Sequence, residues 1–198
     1  MAEFALGARA SCSDGFCGRV RRTIIDPAAR TVTHLVIAPR HRNADARLVP
    51  VELVEATGGE ITLRCTLAEF DRLDPAEEAD LVEADFGNVA RMGFGDEAYG
   101  IGQPPPIVVS HAVPLGETEV GCHESVHAVD GEIGRVAGFV VDPAGHQVTH
   151  VLLKEGHLWG RKEVAIPVSA VASLDTGIRL NITKQQVEDL PPLGRGHP

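Results

Sequence analysis

Apolar residues in this chain fall in short runs separated by turn formers, not in long helical stripes. Residues 18–25 and 134–141 are rich in β-branched side chains and bounded by turn residues, which predicts strands. Asp26-Pro27 and Asp142-Pro143 come next. Asp can accept a hydrogen bond from the backbone ahead of it, and Pro presets φ, so both dipeptides predict turns. Residues 31–37 and 148–153 are again β-branched, and strand, turn, strand makes a hairpin in each stretch. A third strand holds Leu48-Val49-Pro50-Val51 in one stretch and Val164-Ala165-Ile166-Pro167-Val168 in the other. Proline removes a ladder donor there and marks an edge or a bulge. Residues 60–65 and 177–182 predict the last strand of each set. Helical spacing follows, with Thr66 as the cap and Leu67, Phe70 and Leu73 facing inward. Thr183, Val187 and Leu190 repeat that arrangement.

The two sets are copies. Asp14-Gly15-Phe16-Cys17-Gly18-Arg19-Val20 returns as Asp130-Gly131-Glu132-Ile133-Gly134-Arg135-Val136, and Val32-Thr33-His34 returns as Val148-Thr149-His150. The offset is 116 over 24 positions, of which 11 are identical; after one inserted residue Pro50 aligns with Pro167 and Leu73 with Leu190. A period this long is one folding unit used twice. Many short strands with few helices predict an all-β fold. The expectation is two tandem small β-barrels, each closed by a short C-terminal helix, because a barrel removes exposed edges at this size. The first barrel takes residues 1–75, an acidic Gly/Pro-rich linker 76–117, the second barrel 118–192, and a tail 193–198. Within the linker, residues 76–90 read as a weak helix. Ile107-Val108-Val109 reads either as a strand added to a barrel or as part of an acidic tether.

The D-G-x-x-G-x-V strand, the D-P turn, the V-T-H strand and the V/I-P-V strand together resemble the PRC-barrel family. That family takes its name from the cytoplasmic domain of the photosynthetic reaction-centre H subunit, and includes the C-terminal barrel of a ribosome-maturation factor. The resemblance covers both repeats, and the segment 156–168 looks especially like family members. It implies a fold and a docking role on other proteins, and no general set of catalytic residues. The chain shows neither the transmembrane helix of the first relative nor the separate N-terminal domain of the second, so a stand-alone tandem barrel is expected.

Charge narrows the partners. Residues 1–75 carry 10 Arg and 10 acids, residues 76–117 carry 1 Arg and 8 acids, and residues 118–198 carry 7 basic and 10 acidic residues, for a net −10. DNA is not expected as a partner, since binding needs clustered cations to release counterions. No run reaches the roughly 18 apolar residues of a membrane span. The N-terminus lacks a basic region followed by an apolar one, so a cytoplasmic location is expected. Cys12, Cys17, Cys65 and Cys122 form no CxxC pair and read as reduced thiols.

Candidate chemistry is thin. His123-Glu124-Ser125-Val126-His127 matches the zinc-protease pattern H-E-x-x-H. That chemistry needs a helix, which brings the two histidines about 6 Å apart on one face. The repeat predicts a strand instead, where they lie about 13 Å apart and cannot share an ion. Val120, Cys122, Val126 and Ala128 would point one way and the histidines the other. His34 and His150 occupy matching positions and read as structural rings, with one metal or proton site in each barrel as the alternative. Gly93-Phe94-Gly95 is followed by Asp96-Glu97, so it neither completes a dinucleotide fingerprint nor suits a phosphate.

Two loops remain. The tip 157–163 carries Trp159, the only tryptophan, beside His157, Arg161 and Lys162; exposed Trp with Arg is the composition of an interface anchor. The corresponding tip of the first copy carries Arg40, Arg42 and Arg47 and no aromatic residue. The expected function is therefore a non-enzymatic adaptor that binds a partner protein through these residues, with no catalytic centre, no metal and no cofactor. The alternatives are an RNA- or ribosome-associated assembly factor, or a metal-dependent hydrolase using His123 and His127. Homo-oligomerisation and a small ligand between the barrels are left open.

Overall fold

The computed structural model describes residues 1–39, 45–57, 59–81, 107–122, 124–155, 163–174 and 177–190. The first repeat supplies β1 (Ala2–Ala5), β2 (Arg9–Cys12), β3 (Gly15–Asp26), β4 (Thr31–Ala38), β5 (Arg47–Pro50), β6 (Val54–Thr57), β7 (Glu60–Leu63) and the one-turn helix α1 (Leu67–Phe70). A hairpin of β8 (Glu77–Leu81) and β9 (Ile107–His111) follows. The second repeat supplies β10 (Thr118–Gly121), β11 (Ser125–Ala128), β12 (Gly131–Val141), β13 (Val148–Glu155), β14 (Glu163–Pro167), β15 (Val171–Ser173), β16 (Ile178–Leu180) and α2 (Lys184–Glu188). The protein is all-β, as the alternation of short apolar runs and turns predicts.

The two sheets have the same order. One runs β5-β4-β3-β2-β7-β6, and the other runs β14-β13-β12-β11-β16-β15. Each sheet holds a seventh strand taken from the other repeat. β1 pairs antiparallel with β12, and β10 pairs antiparallel with β3. The registers are identical once the offset is removed: Phe4 faces Phe139, and Val120 faces Thr23. The long strands make this exchange possible. β3 carries β2 along its first half and β10 along its second, on the same edge. Irregularities at Val20/Arg22 and Ile24/Ile25 recur at Val136/Gly138 and Val140/Val141. Such bulges bend a strand and increase its twist, so each long strand can serve two neighbours in succession.

The exchange merges the cores. A single cluster of buried side chains contains Phe4, Val20, Leu35, Ile61 and Phe70 together with Val126, Phe139, Val151, Ile178 and Val187. A smaller one holds Ile24, Val36 and Ala76, with Leu48 and Val113 packed against it, on the outer face of the first sheet.

Local chemistry explains the ends of each unit. Asp26 Oδ1 accepts from the amides of Ala28 (2.8 Å) and Ala29 (3.0 Å), the expected Asx turn. Thr66 caps α1 and Thr183 caps α2, each in a reciprocal capping box with Glu69 or Gln186. The D-G motif also acts there: Asp14 Oδ1 accepts from the amide of Leu67 (2.8 Å), and Asp130 Oδ1 from that of Lys184 (2.9 Å).

Three expectations change. Residues 77–81 form a strand, not the start of a weak helix; β-pairing with residues 107–111 satisfies their backbone. Residues 107–109 add to that hairpin and not to either large sheet. The segment 120–128 does not form one strand: β10 ends at Gly121 in the first sheet and β11 begins at Ser125 in the second, with Cys122 past the end of β10. Cys122 is consequently exposed and does not share the buried face of Val120, Val126 and Ala128.

Candidate interaction surface

The proposed contact tips connect β4 to β5 and β13 to β14, at matching places in the two units. Arg40, Arg42, His157, Trp159, Arg161 and Lys162 lie outside the described residues. Arg47 is described, and opens β5 opposite Ile37. Its Nη1 donates to the carbonyl of Leu73 at 3.2 Å, and its backbone bridges Pro75. The guanidinium thus braces the segment that leaves α1. Leu48 N donates to Asp74 O and Ala76 N to Ala46 O, so this segment also runs along the outer edge of β5.

His127 sits exposed in β11, a strand, while His123 lies outside the described residues. Among the described residues no group of three His, Cys, Asp or Glu side chains is placed to hold a metal ion. His34 and His150 each place Nδ1 3.1 Å from the hydroxyl of the preceding threonine. Thr149 Oγ1 donates to the carbonyl of Val140 at 3.0 Å. Thr33 Oγ1 makes the matching contact with the carbonyl of Ile24 at 3.4 Å and a shorter one with Glu117 Oε2 at 2.6 Å, and that carboxylate lies 3.8 Å from His34. The shared part of the arrangement is a strand-to-strand brace. Glu117 adds a charged version in the first unit only.

Where the units meet, side chains of one are spent on the backbone of the other. Arg30 Nη1 donates to Val168 O at 3.2 Å and Nη2 to Val171 O at 3.5 Å. Arg30 also lines a shallow depression with Pro27 and residues 171–174. Arg22, largely buried on β3, pairs with Glu77 at 2.8 Å and with Glu119 at 3.3 Å, tying the hairpin and the exchanged strand β10 to the first sheet.

Composition alone did not reveal a thiol cluster. Cys12, Cys17 and Cys65 are all buried in the first unit, and Cys12 Sγ lies 3.9 Å from Cys65 Sγ. Burial pushes all three thiols above their ordinary pKa, Cys12 furthest, with its neighbours Cys17 and Cys65 adding to the effect. The parallel pairing of β2 with β7 brings Cys12 and Cys65 to the same end of the unit.

The family model of the PRC-barrel domain matches residues 126–187, from β11 to α2. The chain therefore contains a PRC-barrel domain, and its first repeat builds a sheet of the same strand order. A search of curated proteins gives no match. No helix among the described residues is long and apolar enough to cross a membrane.

Proposed function

We propose that this protein is a non-enzymatic, cytoplasmic adaptor that binds a partner protein through the β4–β5 and β13–β14 tips. The PRC-barrel domain at residues 126–187 carries the reading, because it is a fold of protein interaction and assembly. The sequence of the tips supports it further. Trp159 with His157, Arg161 and Lys162 provides an aromatic anchor beside cations, while Arg40, Arg42 and Arg47 provide cations without an aromatic residue. Two tips at equivalent places, with unlike chemistry, suit two different contacts on one partner or on two. The test is capture of the partner from native lysate by the wild-type chain and by a Trp159→Ala, Arg161→Ala double variant. The double variant should lose the partner with its Tm unchanged; undiminished capture would overturn the site.

A further inference from the structure

We propose that Cys12 and Cys65 are a redox-responsive pair, which a low-molecular-weight disulfide converts to an intramolecular disulfide across the first unit. The backbone already holds the two residues side by side. β2 and β7 run parallel with Ala10 opposite Ile61 and Ser11 opposite Thr62. Just beyond, Ser13 N donates to Cys65 O at 2.9 Å and Ser13 Oγ to the same carbonyl at 3.2 Å. The sulfurs are 3.9 Å apart, so small side-chain rotations bring them to the roughly 2 Å of a bond.

The second unit shows that packing does not require sulfur at these positions. Val129 N donates to Ile182 O at 3.1 Å, the counterpart of the Ser13–Cys65 bond, and Asp130 caps α2 as Asp14 caps α1. Yet the residues matching Cys12, Cys17 and Cys65 are Ala128, Ile133 and Ile182. The same backbone is built with hydrocarbon in one copy and with three thiols in the other.

The reaction balances as thiol–disulfide exchange. One thiolate attacks the small disulfide and expels a small thiol; the second thiolate attacks the mixed disulfide and expels another. One S–S bond forms in the protein, one breaks in the oxidant, and the two thiol protons and two electrons leave on the small thiols. Burial keeps both protein thiols protonated, so exchange follows local opening of the 13–16 turn and α1. The product cross-links the β2–β3 hairpin to the entrance of that helix.

The test uses the full chain with Cys122→Ser, which removes the exposed thiol, incubated with oxidised glutathione in native buffer. The mass should fall by two hydrogens, and the thiols open to alkylation after denaturation should drop from three to one. A cross-linked peptide should join Cys12 to Cys65, and Tm should rise by roughly 5–10 °C, reversibly with dithiothreitol. Cys12→Ala and Cys65→Ile, which copy the second unit, should fold and show neither change. Three alkylatable thiols, a persistent glutathione adduct, or a Cys12–Cys17 link would overturn the proposal.

Discussion

Thr31 faces Gln147 across an antiparallel bridge, and each is the other's counterpart in the repeat. A residue can meet its own equivalent only on a twofold axis, so this bridge marks an internal pseudo-dyad. The flanking bonds obey it: Val32 N donates to His146 O at 3.0 Å, and Val148 N to Arg30 O at 2.9 Å. Arg30 and His146, again counterparts, both adopt positive φ, at 54° and 52°. The two repeats thus associate as an isologous dimer does, with the partners carried on one chain.

That symmetry couples the halves. Phe4 belongs to the first repeat but is buried opposite Phe139 in the second sheet, within the shared core. Phe4→Ala should cost about 3–5 kcal/mol. Urea denaturation should show one transition at a lower midpoint, and hydrogen exchange should show β3 and β12 losing protection together. Two separated transitions would show that the halves fold independently.

Close approach of the exchanged strands is made possible by glycine, placed on opposite partners in the two ladders. Ala5 faces Gly138, while Gly121 faces Arg22. A Cβ on Gly138 would lie 2.4 Å from Phe4 O and 2.8 Å from Ala5 Cα, both backbone. At Gly121 the nearest atom would be Arg22 Cγ at 3.6 Å, an ordinary contact. Gly138→Ala should therefore destabilise by about 2–3 kcal/mol, and Gly121→Ala by less than about 1 kcal/mol. Equal losses in chemical denaturation would remove this account of β1 docking.

Much of this was legible in the sequence. The D-G-x-x-G-x-V and V-T-H copies predict β3, β4, β12 and β13, the Asp26-Pro27 dipeptide predicts the turn, and helical spacing predicts both Thr caps. The exchange was not legible. Ala2–Ala5 and Thr118–Gly121 are equivalent segments whichever sheet they join, because period-2 alternation reports which face is buried and not against which strand. The hairpin of residues 77–81 and 107–111 was missed for a related reason: acidic residues have low β-propensity, and its pairing partner lies far along the chain. As for the site, the repeat predicted a strand at the H-E-x-x-H match, and His127 lies in one, whereas the thiol cluster depended on a parallel β2–β7 pairing that no local pattern encodes.

Thr23 occupies the position matched by Phe139 and is fully buried, and its Oγ1 has no hydrogen-bond partner among the described residues. A buried, unpaired hydroxyl carries its full desolvation cost. Thr23→Val keeps the β-branched shape that a central strand favours and deletes the hydroxyl. Stability should rise by about 1 kcal/mol, read as a higher urea midpoint with an unchanged m-value. A fall would mean that the hydroxyl is satisfied in solution.

The two capping boxes supply a paired test of pH dependence. Glu69 closes the first and Gln186 the second, with near-identical geometry: the Thr66 amide lies 2.8 Å from Glu69 Oε2, and the Thr183 amide 2.9 Å from Gln186 Oε1. Hydrogen bonds from the Thr66 backbone and then its side chain hold the Glu69 carboxyl below its ordinary pKa. Its folded pKa is thus lower than its unfolded one. The stability it adds is fully present above the unfolded value of about 4.3 and disappears as pH falls through the folded value. Glu69→Gln should leave Tm near the wild-type value at pH 7 and flatten its decline below about pH 4.3. Gln186→Glu should steepen that decline, because it creates a second carboxylate cap. Thermal melts of the three proteins between neutral and acid pH decide the matter, and parallel curves would mean that the capping carboxylate does not set the acid sensitivity of the fold.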